Sequence, residues 1–316
     1  MKQNIIITGG AGYVGTSLCE ALNASQEVES IVVYDELIRN DRRFFLVRGE
    51  ADVLDKVRFV RGDILDTRRL SKACRGMNVL IHLAAFVDEP FTYSQHVQYD
   101  QVNAYGALSV VRALEENPQV QRLVYLSSSA VYGFRKGIDP ADAPNPQNGY
   151  ALSKRKGEQY LEGYAADSGI QLNIFRAAHI FGYNRTCRFD TLVHRFAFEA
   201  LTGGRISLYG SGNQVRPFVT LPHVVYVLSQ AASGRLPESL LIADFQCELN
   251  AMLAWIRLRI PAVEYQYLTP AIEHPSQSFS HLPGIDQSSL DVALQAIRLQ
   301  LTIGGVALHQ SVDGQT

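Results

Sequence analysis

Asn4-Ile5-Ile6-Ile7-Thr8-Gly9-Gly10-Ala11-Gly12-Tyr13-Val14-Gly15 decides how this chain is read. The isoleucines form a short unbroken apolar run, the mark of a strand buried in a parallel sheet. The glycines that follow allow a tight turn, close approach of backbone to a pyrophosphate, and close packing of helix on sheet. Thr16 to Asn23 reads as that helix, whose first free N–H groups favour phosphate charge. The stretch therefore predicts a dinucleotide site near the N-terminus.

A glycine motif alone is weak evidence. Here a second strand, Ser30-Ile31-Val32-Val33-Tyr34, ends at Asp35, twenty residues past Gly15. A carboxylate at that distance accepts hydrogen bonds from the adenosine ribose hydroxyls. It also repels a 2′-phosphate, which points to NAD over NADP. Arg39, Arg42 and Arg43 follow closely and pull the other way.

Outward from this start, apolar strands alternate with helical patterns. The strands are Asn4–Thr8, Ser30–Tyr34, Val57–Arg61, Val79–Leu83, Arg122–Ser127 and Leu172–Arg176; the helices are Thr16–Asn23, Thr67–Cys74, Asp100–Asn117 and Tyr150–Ser168. This alternation predicts an α/β fold, a Rossmann-type doubly wound parallel sheet, with ligands beyond the carboxyl ends of the strands. The pattern changes after Arg176. Ile180 to Thr191 reads as loop, Leu192 to Thr202 as helix, and Gly203 to Thr220 as glycine-rich with short strands. Pro261 to Pro283 is irregular, and the end is poorly patterned. We expect residues 1–176 to form the dinucleotide domain, with about 219–232 returning to it, and 177–316 to form a smaller, interleaved substrate lobe.

The composition bounds the rest. The chain has 316 residues, 47% hydrophobic and 19% charged, with net charge −2. That length buries a large core. The near-neutral balance carries no basic footprint for nucleic acid. No apolar run approaches the ~20 residues of a membrane helix. The start on a core strand leaves no room for a signal peptide, so a cytoplasmic protein is expected. Cys19, Cys74, Cys187 and Cys247 have no metal-ligand spacing, and the eight histidines form no HxxxH or HExxH cluster, so no metal is expected.

The chemistry lies in two segments. Leu123-Val124-Tyr125-Leu126 ends in Ser127-Ser128-Ser129, at the strand edge where ligands bind. After a proline-rich loop comes Tyr150-Ala151-Leu152-Ser153-Lys154, with Tyr and Lys on one helix face. A tyrosine of ordinary pKa, about 10, is a poor base at neutral pH. A nearby ammonium and a cationic nicotinamide favour the phenolate. Such a tyrosine takes a proton from a sugar hydroxyl as hydride leaves the same carbon. A serine at the strand end shares that proton or steadies the oxyanion.

These segments together resemble the extended short-chain dehydrogenase/reductases of the NAD-dependent epimerase/dehydratase group, which act mostly on nucleotide sugars. The resemblance runs in order from Asn4 to about Ala231. It implies NAD as cofactor, held by Gly9, Gly12, Tyr13, Val14, Gly15 and Asp35. Within Gly62-Asp63-Ile64-Leu65-Asp66, Asp63 and Ile64 are implied to contact the adenine. His82-Leu83-Ala84-Ala85 is similar to the fourth-strand motif, with Leu83, Ala84 and Ala85 against the cofactor. Asn103, with Gly106, is implied to support the site. Ser127-Ser128-Ser129-Ala130-Val131-Tyr132-Gly133 is similar to the strand carrying the catalytic Ser or Thr, which registers on Ser128. Tyr150 and Lys154 fall on the catalytic pair, Lys154 also holding the nicotinamide ribose.

The departures matter as much. The dehydratase branch has acidic residues directly after its catalytic hydroxyl, where this chain has Ser129 and Ala130, which argues against 4,6-dehydration. His179 stands where the group usually has an Asn that touches the substrate diphosphate, and Tyr183 stands for a Pro. Arg216, in Gln214-Val215-Arg216-Pro217-Phe218, falls on an arginine that grips the diphosphate. Pro217 and His223 replace acidic residues. Substrate contacts are therefore expected from Ser128, Ser129, His179 and Arg216.

Three readings follow: an NAD-dependent epimerase of a nucleotide-activated sugar, most simply at C4; a keto-sugar reductase or dehydrogenase using the same triad; and a cofactor-binding regulator without turnover. A homodimer is expected, because the resemblance implies a four-helix interface from Asp100–Asn117 and Tyr150–Ser168. The alternative is that Val102, Leu108, Val111 and Leu114 face their own sheet.

Overall fold

The computed structural model describes residues 2–38, 42–46, 54–87, 96–236, 239–269 and 275–303. The first half runs β1 (Gln3–Thr8), α1 (Tyr13–Ala24), β2 (Val28–Asp35), β3 (Val57–Arg61), α2 (Thr67–Cys74) and β4 (Val79–His82). It continues through α3 (His96–Tyr99), a π-helical segment (Asp100–Tyr105), α4 (Gly106–Glu115), β5 (Arg122–Ser128), α5 (Gly149–Ser168) and β6 (Gln171–Ala177). Then come β7 (His179–Phe181), α6 (Leu192–Thr202), β8 (Arg205–Tyr209), β9 (Val215–Thr220) and α7 (Leu221–Ala232). The last elements are β10 (Ser239–Ile242), β11 (Phe245–Glu248), α8 (Leu249–Arg259), β12 (Glu264–Leu268) and α9 (Gln287–Ile303).

The main sheet has seven parallel strands in the order β10-β6-β5-β4-β1-β2-β3. Successive side chains of a strand point to opposite faces. Ile5 and Ile7 therefore pack under α1 and α7 with Leu18, Leu22, Val224 and Leu228. Ile6 packs on the other face with Leu70, Val110, Leu114 and Leu161. Each such side chain contributes about 1.5–3 kcal/mol when fully buried. The doubly wound fold class read from the sequence is thus observed.

Several local expectations differ. β10 supplies a seventh strand that the sequence reading did not include. The helix expected from Asp100 begins at His96 and passes through the π segment before α4. Val111 and Leu114 belong to the core of their own sheet, and Val102 packs against it. The stretch read as loop from Ile180 opens within β7, which pairs with β9 in a small sheet β11-β9-β7. The poorly patterned end forms α9, whose Leu290, Leu294, Ile297 and Leu301 join Phe196, Leu253 and Trp255 in a second core. Among the described residues no helix is long and apolar enough to cross a membrane.

Candidate active site

Strand order reverses between β1 and β4, and a cleft of about 710 Å³ opens along the carboxyl ends of the strands there. Its floor is the glycine turn. Gly9 has φ +71°, and a Cβ on it would fall 2.6 Å from the Ala84 backbone nitrogen. A Cβ on Gly15 would fall 2.6 Å from Gly10, so α1 meets the turn with no room for a side chain. Gly12 caps α1 with no side chain of its own over the first turn. Tyr13, Val14, Ile64, Leu83, Ala84 and Ala85 line the cleft.

Asp35 ends β2 at the cleft rim, its carboxylate accepting from the N–H groups of Ala11 at 3.1 Å and Leu37 at 2.8 Å. Burial raises its pKa against those two hydrogen bonds. Arg43 donates to the Cys187 carbonyl at 3.1 Å, Arg42 lies outside the cleft lining, and Arg39 lies outside the described residues.

The second cluster assembles on β5 and α5. Ser128 is the last residue of β5, and its Oγ accepts from the Ala130 N–H at 3.2 Å, starting a 3₁₀ turn over Ser129–Tyr132. Asn148 caps α5 by accepting from the Ala151 N–H at 2.8 Å. Lys154, one turn on from Tyr150, is buried and donates to the Leu126 carbonyl at 2.6 Å, with its Nζ 4.3 Å from the Tyr125 ring centre. This contact pins α5 on β5, and Tyr150 and Ser128 both line the cleft.

Desolvation in the cleft raises the Tyr150 pKa, while the Ser128 hydrogen bond and the Arg188 charge pull it down. Burial lowers the Lys154 pKa to about 7, opposed by the Glu158 charge. Protein groups alone therefore do not give the depressed phenol expected from the sequence.

Behind the strand end, fully buried Glu158 accepts from Ser127 Oγ at 2.6 Å and from Arg176 Nε at 3.0 Å and Nη2 at 2.8 Å. Arg176 also donates to the Tyr132 hydroxyl at 3.0 Å.

Four expected site residues also make hydrogen bonds within the protein. Asp63 does not line the cleft; its Oδ1 accepts from the Leu65 N–H at 2.9 Å, so the carboxylate serves its own turn. Asn103 is buried behind the lining, exchanging hydrogen bonds with the Phe86 backbone and donating to Ser153 Oγ at 3.0 Å. Ser129 lines the cleft, yet its hydroxyl donates to Gln277 Oε1 at 3.1 Å rather than into the opening. Arg216 lies outside the lining, its Nη1 donating to the carbonyls of Val215 and Pro275.

His179 does line the cleft, with its ring 5.7 Å from that of Phe218. Its ring is accessible to solvent but walled by protein. Desolvation there, and then the Arg216 charge, push its pKa down to about 4. A neutral imidazole, not a cation, meets a ligand at pH 7.

The structure adds three residues. Tyr99 sets its ring 5.8 Å from that of Tyr150. Arg188 lines the cleft, donates to both Asp190 oxygens and to the Val87 carbonyl at 3.2 Å, and acts on Tyr150 through its charge. Gln277 lines it from the far end of the chain.

The cleft fits a dinucleotide: a glycine cradle that a Cβ would fill, a helix N-terminus, and a carboxylate at its rim. The chain matches the model of the NAD dependent epimerase/dehydratase family over residues 5–240. It is 26% identical over 249 residues to a dTDP-glucose 4,6-dehydratase of Mycobacterium tuberculosis, covering 77% of this chain and 72% of that one. It is also 26% identical over 227 residues to an uncharacterized UDP-glucose epimerase of Bacillus subtilis, covering 71% and 70%.

Among solved structures, the UDP-glucuronic acid 4-epimerase of Bacillus cereus in complex with UDP-glucuronic acid and NAD superposes with a TM-score of 0.80. That superposition covers 94% of this chain and 99% of the other at 21% identity, a likeness of fold. The chain belongs to the NAD-dependent epimerase/dehydratase family, enzymes that use NAD on nucleotide sugars.

Proposed function

We propose that this protein is an NAD-dependent epimerase of a nucleotide-activated sugar, acting at C4 through a transient keto sugar. The convergence of Ser128, Tyr150 and Lys154 on the cleft that holds the glycine turn carries this reading. Gly9, Gly12, Gly15 and Asp35 would hold NAD, and Lys154 would steady its ribose; the bound cofactor would supply reversible hydride exchange at the sugar carbon. Tyr150 takes the proton from the sugar hydroxyl and returns it to the opposite epimer. Ser128 donates a hydrogen bond to the oxygen on which charge develops. Within the protein, Ser128 and Arg188 lower the Tyr150 pKa against burial, and a nicotinamide cation beside the phenol would lower it further.

Two observations favour epimerisation over neighbouring chemistries. Among the described residues the carboxylates lining the cleft are Asp35 and Glu36, at its adenosine end, so none stands beside Tyr150 to drive elimination of water. The loop after β7 also clasps the start of α1. Tyr13 donates to the Gly182 carbonyl, and Asn184 donates to the Tyr13 carbonyl at 2.8 Å and to Ser17 Oγ at 2.9 Å. A loop fixed in this way, with Thr186 and Arg188 lining the cleft, suits a cycle that restores NAD at each turnover, whereas a reductase must exchange it.

Dialysis followed by acid release tests this directly. Retained NAD near one per chain, with conversion of a UDP-, dTDP-, GDP- or CDP-hexose to its 4-epimer, is expected. Freely exchanging NAD(P)H with net reduction of a keto sugar would replace the epimerase with a reductase. We further propose a homodimer, through Val97 and Tyr105 and the facing Leu152 and Tyr160 of α5, apolar side chains left exposed. A single-chain mass at micromolar concentration in sedimentation would refute it.

A further inference from the structure

We propose that Gln277 is a positioning residue whose carboxamide fixes the turn after Ser128 and so sets where the Ser128 hydroxyl meets Tyr150. This rests on the roles proposed above for Ser128 and Tyr150. Gln277 is buried, 3% exposed. Its Nε2 donates to the carbonyls of Ser129 and Gly133, both at 2.8 Å, and its Oε1 accepts from Ser129 Oγ at 3.1 Å. The whole carboxamide is thus committed to one turn. That turn ends at Gly133, φ +76°, and begins with the Ala130 N–H donating to Ser128 Oγ. A carboxamide offers two donors on its nitrogen beside an acceptor oxygen, and all three are used here.

The backbone around Gln277 is anchored on the other lobe. Its N–H donates to the Val215 carbonyl at 3.0 Å, Ser276 Oγ accepts from the Val215 N–H at 3.1 Å, and the Pro275 carbonyl accepts from Arg216. The Gln277 side chain therefore ties the Ser128 turn to β9, through a residue some 150 positions away in the chain. An error of ~1 Å in such a site costs about 10²-fold in rate.

The test reads Tyr150 itself, in full-length protein labelled with [13Cζ]tyrosine, with and without NAD. The signal is assigned by its loss in Tyr150→Phe. The groups around Tyr150 are Lys154 on its own helix, Ser128 and Tyr125 on β5, Tyr99 on α3, and Arg188 before α6. Substitution at Gln277 removes none of them. In Gln277→Met the turn that places the Ser128 hydroxyl loosens, and Tyr150 is expected to titrate about half a pH unit or more above wild type. NAD affinity is expected to stay unchanged.

Gln277→Leu removes the same hydrogen bonds without adding charge and is expected to give the same upward shift. An unmoved Tyr150 titration in a folded variant overturns the proposal. A shift accompanied by lost NAD affinity overturns it too, because Gln277 then braces the whole cleft. Should both variants fail to fold, Ser129→Ala removes one of the three hydrogen bonds, and a smaller shift is expected; no shift overturns the proposal. The titration needs no sugar, so an inactive wild type would refute the epimerase reading separately.

Discussion

Ser128 closes β5 and Tyr150 opens α5, and both line the cleft, where the serine hydroxyl works to lower the Tyr150 pKa. The relationship is built from the backbone outward: a strand end, a capped helix and a lysine bolt. Tyr150→Phe removes the phenol oxygen and keeps the ring beside Tyr99. Turnover of the identified nucleotide sugar is expected to fall about 10²–10⁴-fold, the usual worth of a general acid–base. Bound NAD is expected to be unchanged. Comparable isomer formation by the variant and wild type would take Tyr150 out of the chemistry.

Lys154 leaves a pH signature in stability. Burial lowers its folded pKa from 10.5 to about 7. Between those values the unfolded chain binds the proton and the folded chain does not, so this residue makes stability rise with pH there. Below about pH 7 the full cost of the buried ammonium is present. The melting temperature of Lys154→Met, relative to wild type without NAD, is therefore expected to be highest near pH 6. It should decline steadily toward pH 10. A flat difference across that range would mean that Lys154 keeps an ordinary pKa.

Gly9 and Gly76 make a matched pair for the glycine turn. Both have positive φ, +71° and +77°. A Cβ at Gly76 meets nothing within 4 Å, whereas one at Gly9 strikes the Ala84 backbone. Gly76→Ala is expected to cost about 1 kcal/mol, the strain of the left-handed backbone alone. Gly9→Ala adds the clash and is expected to lower both stability and NAD affinity further. Denaturant unfolding and NAD titration measure the two; equal costs would show that β4 yields easily to the turn.

The fold was largely legible because the dinucleotide half obeys local rules. Ile5 to Ile7, the glycines after them and Asp35 each announce their place through short-range pattern. The proposed catalytic trio was legible for the same reason, two residues being one helical turn apart. What was missed depends on long-range contact. Gln277 reaches the Ser128 turn from the other end of the chain, and Arg188 sits in a stretch with no periodicity. Asp63 and Arg216 match motif positions, and each also meets local backbone, Asp63 Oδ1 at the Leu65 N–H and Arg216 Nη1 at two carbonyls. α9 is a different case. Leu290, Ala293, Leu294, Ile297 and Leu301 carry a plain 3.6-residue period that the reading passed over, because short polar residues flank it.

Glu158 offers the sharpest energetic test of how the strand end is held. Burial pushes its pKa up, but the Arg176 hydrogen bonds and charge, with Ser127 and Arg155, more than offset this and leave it below 4.5. A depressed carboxyl contributes stability above its unfolded pKa and loses it as pH falls through the folded value. Wild type is therefore expected to lose this contribution below about pH 4.5. Glu158→Ala strips the partner from Arg176, itself partly buried, and leaves Ser127 Oγ without its acceptor. Breaking a buried pair from one side costs about 3–5 kcal/mol. Urea unfolding at pH 7 is expected to show a loss of that order, and the gap between variant and wild type is expected to narrow as the pH is lowered toward 4. A cost under about 1 kcal/mol at pH 7 would place the pair with ordinary surface bridges. It would also mean that β5 and α5 are held together chiefly by Lys154 and apolar packing.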